Sequence, residues 1–434
     1  MSPQELLQHA ASLVGSALQF QQTTEQTLAQ YFRQHGKIGA RERAMLTDAV
    51  YRIVRLKSLL EAQAEAAPRG LGSKERKLAL LGIKKHADYF AGAMSDVERE
   101  WLAKAHQIDS LDLPVTLPAA QRHNLPKWLA EKLQIELGEN FWPFAMVMLQ
   151  KASVDLRINT HSHKTVRVAE QLAQDGFSTT PTHYAPDGLS LDQRKSLKNY
   201  PLYLQGAFEV QDEGSQLIAV LSQAKREEIV VDFCAGAGGK TLAMASMMRG
   251  TGRVYALDAS ASRLEALRPR MQRAELENIY PMAISAADDE RVQRLIGKAD
   301  CVLVDAPCSG LGTLRRQPDL KWRRKPEDLR RFQAVQLAIL RDAARLLKPG
   351  GRLVYATCSV LREENEEVAA LFSENHTDFA QQSVGDILEK AKVPDVQTLV
   401  SGGTDGRLSL HTWPHLHQMD GFFAAVWKKQ AKTA

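Results

Sequence analysis

The sequence predicts an α/β fold with a mostly parallel, doubly wound sheet, preceded by an all-α region and a small α/β segment. The first observation is a set of apolar segments in the second half of the chain: EIVVDF, GRVYALD, ADCVLVDA and GRLVYATC. Apolar strands that alternate with helices are typical of parallel sheets covered on both faces. The second is a glycine-rich turn, CAGAGGKT, between the first strand and a helix. The third is a cysteine shortly after each of two strands, Cys308 and Cys358, where such sheets bind ligands.

The composition is that of a globular protein with more than one domain. The chain has 434 residues, too many for one ordinary core, and it is 44% hydrophobic and 25% charged. Its first residues, MSPQELLQHAASLVG, lack the basic and apolar blocks of a secretory signal. The sequence also lacks the run of about 18 uncharged apolar residues that would indicate a membrane span. We therefore expect a cytoplasmic protein without membrane attachment, and a monomer.

The cysteines do not favour a metal site. Cys234, Cys301, Cys308 and Cys358 form no CxxC pair, and the two HxH pairs lack nearby carboxylate or thiolate partners. We therefore expect no bound metal. The net charge of +5 indicates a binding partner only where the cations are clustered.

Hydrophobic periodicity divides the chain into three predicted domains. Residues 1–125 carry apolar residues at helical spacing, among them Leu46, Val50 and Ile53. Residues 126–208 combine short alternating segments, VDLRINT and GLSL, with one helix, KTVRVAEQLAQDG, and are predicted to form a small α/β unit. Residues 209–434 contain the parallel sheet and are predicted to be the catalytic domain.

The spacing of the glycine-rich turn indicates its ligand. A phosphate-binding P-loop needs glycine where Cys234 stands, and a dinucleotide motif needs glycine where Thr241 stands. The short GxGG turn that remains is followed by Asp258 at the end of the next strand, where a carboxylate can bind ribose hydroxyls. We therefore expect a single nucleoside such as S-adenosylmethionine. The alternative is that the glycines only allow helix and strand to pack closely.

Asp305, Cys308 and Cys358 suit covalent methylation of a pyrimidine. C5 of a pyrimidine is a poor nucleophile, but a thiolate that adds to C6 makes C5 enamine-like and able to accept a methyl group from a sulfonium. An acidic residue at the N3/N4 edge can stabilise the adduct. For either cysteine alone, a small apolar residue at a strand end is the alternative, and this is our interpretation of Cys301.

Four motifs, DFCAGAGGKT, VDAPCSGLG, ATCSVLREENE and DGFF, resemble those of the RNA 5-methylcytosine methyltransferases, nearest to the bacterial ribosomal RNA branch of RsmB/Sun type. The resemblance covers about residues 200–428 and implies a Rossmann-like S-adenosylmethionine methyltransferase. In DNA cytosine methyltransferases the cysteine of the Pro–Cys motif attacks. In the RNA family the other cysteine attacks, which implies that Cys358 is the nucleophile, Cys308 assists release of the methylated base, and Asp305 contacts the cytosine edge.

The resemblance also implies where S-adenosylmethionine binds. It places an acidic residue after the third strand near the adenine, where we prefer Asp288 over Asp289 because the alignment can slide. Gly236 and Ala237 stand where the family often has alanine and proline, and we expect little consequence. The implied cofactor-binding residues are Cys234, Ala235, Gly236, Ala237, Gly238, Gly239, Lys240, Asp258, Asp288 and Asp305.

Two basic regions are predicted to bind RNA. The segment GARERAMLTDAVYRIVR resembles the RNA-binding domain related to the antitermination factor NusB, and LRIN and VQDEGSQ resemble a segment like the RNA-recognition motif. Periodicity alone favours a solvated helix face, whereas the resemblance makes Arg41, Arg52 and Arg55 candidate phosphate contacts. Downstream of Cys308, cations with an interleaved tryptophan suit phosphate contact and base stacking. These residues are Arg315, Arg316, Lys321, Trp322, Arg323, Arg324 and Lys325.

The predicted function is therefore methylation of cytosine C5 in RNA, with 16S ribosomal RNA as the first substrate to test. The target base must leave its stack for C6 to be attacked. Two alternatives stay open: the same chemistry on transfer RNA, and a non-catalytic RNA-binding factor in ribosome assembly. The complete set of Asp305, Cys308 and Cys358 argues against the second, and Cys234 excludes a P-loop nucleotidase.

Overall fold

The computed structural model describes residues 1–105, 113, 115–192, 197–284 and 289–431. The chain divides into two compact units. The helical unit comprises Met1–Lys151 and Thr313–Pro326, and the α/β unit comprises Ala152–Gly312 and Glu327–Ala434. Within the described ranges, none of the helices has the length and apolar character needed to cross a membrane.

The helical unit confirms the predicted N-terminal helical region. Its first two helices begin where Ser2 and Thr23 cap them, each paired with a side chain three residues on that bonds back to the cap. Leu6, Leu46 and Ile53 are among its buried core residues. Its leading helices are α1 (Pro3–Ala17), α2 (Thr24–Gln34), α3 (Ala40–Arg55), α4 (Lys57–Glu65), α5 (Lys74–Gly82), α6 (Ala87–Phe90), α7 (Asp96–Ala105), α8 (Ala119–His123), α9 (Lys127–Leu137) and α10 (Phe141–Met148), with 3-10 turns at Lys84–His86, Ala91–Ala93 and Gly138–Asn140.

The α/β unit begins with a small antiparallel sheet. Its strands lie in the order β2-β3-β1-β4. Leu156 on one strand and Leu172 on a helix belong to the core beneath the sheet. The elements are β1 (Val154–Ile158), α11 (Thr165–Gln174), β2 (Thr179–Pro181), β3 (Gly188–Leu191), α12 (Pro201–Leu204) and β4 (Phe208–Val210).

A nine-stranded sheet forms the rest of the α/β unit. Its strands are β5 (Ile229–Asp232), β6 (Arg253–Asp258), β7 (Ile279–Ala283), β8 (Ala299–Asp305), β9 (Leu347–Thr357), β10 (Phe379–Gln381), β11 (Val400–Ser401), β12 (Ser409–Thr412) and β13 (Phe422–Lys429). The remaining helices of the chain are α13 (Glu213–Leu221), α14 (Gly239–Met247), α15 (Ala261–Arg273), α16 (Glu290–Gln293), α17 (Leu320–Arg323), α18 (Pro326–Ala344), α19 (Glu366–Asn375), α20 (Val384–Lys390), α21 (Val396–Leu399) and α22 (Pro414–His417), with 3-10 turns at Leu311–Thr313 and Arg362–Glu364.

The topology of this sheet confirms the predicted fold class. Strands β9, β8, β5, β6 and β7 are neighbours in that order and parallel, while β13 and the strands beyond it are antiparallel. Successive residues of β5 face opposite sides, since Val230 and Val231 belong to different core clusters. The order reverses at β5, with β6 on one side and β8 on the other. Such a reversal opens a crevice beyond the carboxyl ends of the strands.

Residues 313–326 belong to the helical unit although strands of the α/β unit flank them in sequence. They include α17, and the indole of Trp322 packs against the helical core. Trp322 stacks on Phe20 with ring centroids 6.5 Å apart. The basic segment that the sequence singled out is thus partly an internal element of this unit.

Candidate active site

The two motif cysteines lie at the ends of neighbouring parallel strands. In the register of β8 and β9, Asp305 pairs with Ala356, and the ladder extends one bond further, from Ala306 N to Ala356 O at 2.8 Å. The two loops therefore leave the sheet side by side. Their sulfur atoms, Sγ of Cys308 and Sγ of Cys358, lie 3.4 Å apart.

A glycine allows the two loops to approach. The amide of Gly312 donates to the carbonyl of Cys358 at 2.9 Å, and its own carbonyl accepts from Gly421 N at 2.9 Å. A Cβ at position 312 would lie 2.1 Å from the carbonyl oxygen of Gly421. The same Cβ would lie 2.9 Å from the carbonyl oxygen of Cys358, so a larger residue would push this loop away from both backbone segments.

The thiol of Cys308 favours its protonated form. The contact with Cys358 raises the pKa of Cys308 well above its ordinary value, and burial raises it further. A thiol with a raised pKa keeps its proton at neutral pH.

A half-buried ion pair adjoins the cysteines. Nζ of Lys240, in the first turn of α14, donates to Oδ2 of Asp305 at 2.6 Å. Burial lowers the pKa of Lys240, but Asp305 and Cys358 raise it by more, so the net shift is upward and the ammonium is kept. The ring of Phe422, from the DGFF motif, lies 5.3 Å from that ammonium. Residues from four separate motifs therefore meet at this edge of the sheet.

Asp232 is a residue of this region that the sequence reasoning missed. It ends β5, and Oδ2 accepts a hydrogen bond from Thr241 Oγ1 at 2.7 Å. Burial and then the nearby Asp305 raise its pKa to about 7. Oδ1 has no hydrogen-bond partner among the described residues. An acidic residue directly before a glycine-rich turn was the available signal.

The glycine-rich turn is built around Asp258. Its carboxylate accepts from the amide of Gly236 at 2.8 Å through Oδ2 and from the amide of Ser260 at 2.7 Å through Oδ1. Gly238 has φ +82°, and a Cβ there would meet Leu267 at 2.2 Å, so this glycine is needed for helix packing. In contrast, a Cβ at Gly236 would have nothing within 4 Å. The turn therefore presents open space beside a carboxylate, which fits a nucleoside ligand.

The predicted adenine contact cannot be placed, because Asp288 lies outside the described residues. The neighbouring Asp289 caps α16 and forms an ion pair with Arg291 at 2.6 Å. Hydrogen bonds from that arginine lower the pKa of Asp289 to about 2. Cys234 is half-buried, and burial raises the pKa of its thiol well above the ordinary value.

Three of the residues predicted to bind RNA face the interior of the helical unit. Nζ of Lys321, 2% exposed, donates to the carbonyl of Arg55 at 2.9 Å, and the indole of Trp322 donates to Val54 O at 2.8 Å. The guanidinium of Arg55 donates to the carbonyls of Gln150 and Arg315. These donors hold the segment in place, so the prediction of direct RNA contact is corrected for Lys321, Trp322 and Arg55.

The other predicted cations differ in exposure. Arg315 is 4% exposed, so the prediction of direct RNA contact is corrected for this residue as well. Arg52, Arg316, Arg323 and Arg324 are half-buried, and Arg41 and Lys325 are exposed. Arg41 lies over the ring of Tyr89 at 5.7 Å, beside a cavity that Lys85 and His86 also line. Lys85 and His86 belong to a short run, KKH, that the sequence analysis did not single out.

Comparison with known families gives two matches. Residues 219–428 match the family described as 16S rRNA methyltransferase RsmB/F. Residues 125–198 match the ferredoxin-like domain of RsmF/B-like methyltransferases. The predicted domain border at 125/126 stays a prediction. Helices α9 and α10 follow that border in the sequence and belong to the helical unit.

Individual relatives extend the similarity over most of the chain. A probable ribosomal RNA small subunit methyltransferase B of Bacillus subtilis is 31% identical over 81% of this chain and 76% of its own length. A probable enzyme of the same description from Synechocystis is 31% identical over 89% of this chain and 91% of its own length. The crystal structure of PH0851 covers 99% of both chains with a TM-score of 0.76 at 23% identity, which is a similarity of fold.

Proposed function

The chain belongs to the 16S rRNA methyltransferase RsmB/F family, and from this premise we propose that it methylates C5 of a cytosine in 16S ribosomal RNA. The observation that carries the proposal is the 3.4 Å contact between the sulfurs of Cys308 and Cys358, beside the pair Lys240 and Asp305. A methyltransferase that acts on an exocyclic nitrogen or a ribose oxygen needs no thiol. Two thiols at the carboxyl ends of neighbouring strands suit attack of one sulfur on C6 followed by elimination of that sulfur.

Cys358 is the proposed nucleophile. Its thiolate adds to C6 of a flipped cytosine, which forms an S–C6 bond and moves electron density to C5. The contact with Cys308 supports this division, because the raised pKa of the Cys308 thiol leaves that residue as the proton donor of the pair.

Asp305 is proposed to hold the N3/N4 edge of the base. The ion pair with Lys240 fixes one carboxylate oxygen at 2.6 Å, and the Asp305 side chain is 31% exposed, so the other oxygen is accessible to a substrate. That oxygen accepts a hydrogen bond from the N4 amino group, which orients the base, and shares a proton with N3 as the thiolate adds to C6, so that the ring is not left with a full negative charge. Only 11% of the Lys240 side chain is exposed, so water screens its charge less than it would at the surface.

Release requires loss of the C5 proton and cleavage of the S–C6 bond. The proton passes to a base or water in the site, and the bond electrons return to the Cys358 sulfur. Cys308 lies within hydrogen-bond reach of that sulfur, so its S–H stabilises the departing thiolate. Without it, the methylated base stays attached to the enzyme.

S-adenosylmethionine supplies the methyl group when it is bound. The amide-lined turn of Gly236 to Gly238 and the carboxylate of Asp258 are the proposed site for it. Asp258 acts twice in this proposal: it fixes the turn through two backbone amides and offers acceptors to ribose hydroxyls.

The exposed basic face of the helical unit is the proposed RNA contact. Burial lowers the pKa of Lys84 to about 8, and the neighbouring cations Arg52 and Lys85 lower it as well. Such crowding of like charges is relieved when phosphates bind. Arg41 and Tyr89 add a guanidinium and a ring at the same face, which suit phosphate contact and stacking.

Bisulfite sequencing of total RNA from cells with and without the gene tests the proposal. We expect one protected cytosine in 16S RNA to disappear without the gene and to return with the wild-type gene but not with Cys358→Ala. Loss of a protected cytosine in transfer RNA instead would reassign the substrate. An unchanged cytosine pattern with a methyl group lost elsewhere in 16S RNA would reject the C5 chemistry.

A further inference from the structure

Each motif cysteine is followed by a serine, and the two serines meet as the cysteines do. Cys308–Ser309 follows β8 and Cys358–Ser359 follows β9. The serine hydroxyls lie 3.1 Å apart, directly beside the sulfur contact of 3.4 Å. Ser309 is 0% and Ser359 1% exposed, so this second contact lies in the interior.

One buried carboxylate joins these two serines. Oε2 of Glu364 accepts from the hydroxyls of Ser309 and Ser359, each at 2.5 Å. Oε1 accepts from the backbone amide of Ser309 at 2.7 Å. Glu364 is 0% exposed. Its two oxygens therefore bind both cysteine loops at the residue that follows each cysteine.

Glu364 is itself fixed by the surrounding sheet and helix. The hydroxyl of Tyr355, on β9, donates to the Glu364 carbonyl at 2.5 Å. The next residue, Asn365, accepts from Thr357 at 2.5 Å and donates to the carbonyl of Ser359 at 3.1 Å. The carboxylate is thus held from the strand that carries one of the cysteines.

A buried carboxylate at this position lowers the free energy of unfolding unless its partners compensate for the lost hydration. Burial raises the pKa of Glu364, which reflects the unfavourable transfer of its charge from water. The partners of the side chain at 2.5 to 2.7 Å are two hydroxyls and an amide, which are neutral donors. Such a buried charge is not explained by net stabilisation. An acceptor-only group with two oxygens does, however, suit a junction that must align two loops.

We infer that Glu364 is a positioning residue for the reaction, which fixes the distance between the attacking sulfur and the releasing sulfur through Ser309 and Ser359. It touches neither the base nor the methyl donor. The inference rests on the proposed function for its catalytic consequence, but the geometry it predicts can be measured without RNA. Removal of the hydrogen bond from Ser309 or from Ser359 to Glu364 should allow the Cys308 loop to move relative to the Cys358 loop.

The test uses the full chain with Glu364→Gln, Ser309→Ala and Ser359→Ala. Bridging of two thiols by dibromobimane, with peptide mapping of the Cys308–Cys358 product, reports their separation. We expect the bridging rate to fall about tenfold and kcat for RNA methylation to fall about 10- to 100-fold, because a shift of about 1 Å in a reacting group has this effect. KM for RNA and for S-adenosylmethionine should stay within about twofold, since neither ligand touches these side chains.

Two control variants make the same substitutions, serine to alanine and glutamate to glutamine, at residues outside the network of Glu364. Ser373→Ala removes a hydroxyl that bonds Trp427 and Ala369, and Glu374→Gln changes an exposed glutamate of α19. Both should keep the wild-type bridging rate and kcat. Should Glu364→Gln fail to fold, the two serine variants decide the question.

The outcomes separate the two proposals. If the wild-type protein does not methylate cytosine but the bridging rate falls in all three variants, the proposed function fails and the positioning role stands. If bridging and kcat match the controls in Ser309→Ala and Ser359→Ala, the positioning role is wrong. A change of KM without a change of kcat or bridging would also overturn it, because that pattern indicates direct binding of a ligand.

Discussion

The sulfur atoms of Cys308 and Cys358 lie 3.4 Å apart although 50 residues separate them in sequence. A single thiol would suffice for attack on C6, so the pair implies a second task. The contact with Cys358 and burial raise the pKa of the Cys308 thiol, which favours its protonated form. In the proposed mechanism Cys358 attacks and Cys308 assists release, so the two single variants are expected to fail at different steps.

We expect Cys358→Ala to lower methyl transfer by at least about a thousandfold, since it removes the nucleophile. Cys308→Ala should still attack and accept the methyl group but release the base slowly, so a covalent protein–RNA adduct accumulates. A denaturing gel with labelled RNA measures the adduct, and radiolabelled methyl transfer measures the activity. Cys301→Ala is the control, because Cys301 is a buried residue inside β8 and should behave as wild type. An adduct with Cys358→Ala but not with Cys308→Ala would reverse the assignment.

The negative charge of Asp305 is predicted to contribute more to kcat than the shape of its side chain. Asp305→Asn keeps the size of the side chain but loses the ion pair with Lys240. We expect kcat to fall about 10²- to 10³-fold, because the amide cannot share a proton with N3 and no longer pairs with Lys240. Asp300→Asn, on the same strand, is the matched control, since Asp300 bonds Ile229 N and Lys348 instead. A similar loss of activity in both variants would indicate damage to β8 rather than a role of the Asp305 carboxylate.

Asp258 is predicted to affect binding of the methyl donor more than the chemical step. In Asp258→Asn only one side-chain oxygen remains for the amides of Gly236 and Ser260, so the turn loses one of two bonds. We expect Kd for S-adenosylmethionine to rise about tenfold, or about 1.4 kcal/mol, with kcat at saturation changed less than threefold. Calorimetry measures Kd, and initial rates at high S-adenosylmethionine measure kcat. An unchanged Kd would remove Asp258 from the cofactor site.

The sequence was sufficient for the fold and for the residues at strand ends. Apolar strands alternating with helices predict a parallel sheet, and the carboxyl ends of such strands meet at one edge. The proximity of Asp305, Cys308 and Cys358 follows from this without any knowledge of side-chain contacts. The roles predicted for these three residues came from the resemblance to the RNA 5-methylcytosine methyltransferases, because residue types alone do not indicate which thiol attacks.

Burial of charged residues was what the sequence could not predict. Lys321 stands in a run of cations and reads as exposed, yet its ammonium bonds the carbonyl of Arg55, 266 residues away in sequence. Glu364 stands in the charged run REENE, yet it is buried and bonds the residues that follow both cysteines. Both cases depend on contacts distant in the chain, and local charge patterns carry no information about those.

The exposed basic face of the helical unit is predicted to bind phosphate. We expect Arg41→Ala and Lys85→Ala each to weaken RNA binding and to reduce the slope of log affinity against log salt by about 0.7 to 0.9 for each phosphate that the variant no longer neutralises. Filter binding at several salt concentrations measures the slope. Lys127→Ala is the control, because Lys127 is an exposed cation that faces Glu131 at 3.8 Å. Equal slopes in all three variants would place the RNA elsewhere.

The stability of the helical unit should decrease in mild acid because of His123. This histidine is 5% exposed, and Nδ1 accepts a hydrogen bond from the amide of Leu125 at 3.0 Å, which requires the neutral ring. Burial, and then the cations Lys321 and Arg122, lower its pKa to about 4. The unfolded chain, with a histidine pKa of about 6.5, therefore binds a proton that the folded unit does not. The stabilisation is fully present above about pH 6.5 and is lost as the pH falls toward 4, at most about 3 kcal/mol.

Amide hydrogen exchange, measured peptide by peptide, can report the stability of the helical unit alone. A global unfolding measurement cannot, because two compact units need not unfold together. After correction for intrinsic exchange rates, peptides that cover α8 and α9 should lose protection between pH 7 and pH 5 in the wild type. His123→Gln keeps an acceptor for Leu125 but has no titrating ring, so it should lose much less over the same range. His163→Gln, in the α/β unit, should lose protection in α8 and α9 as the wild type does. If His123→Gln shows the full wild-type loss, another group is responsible, and protonation of His123 is not what destabilises this unit in acid.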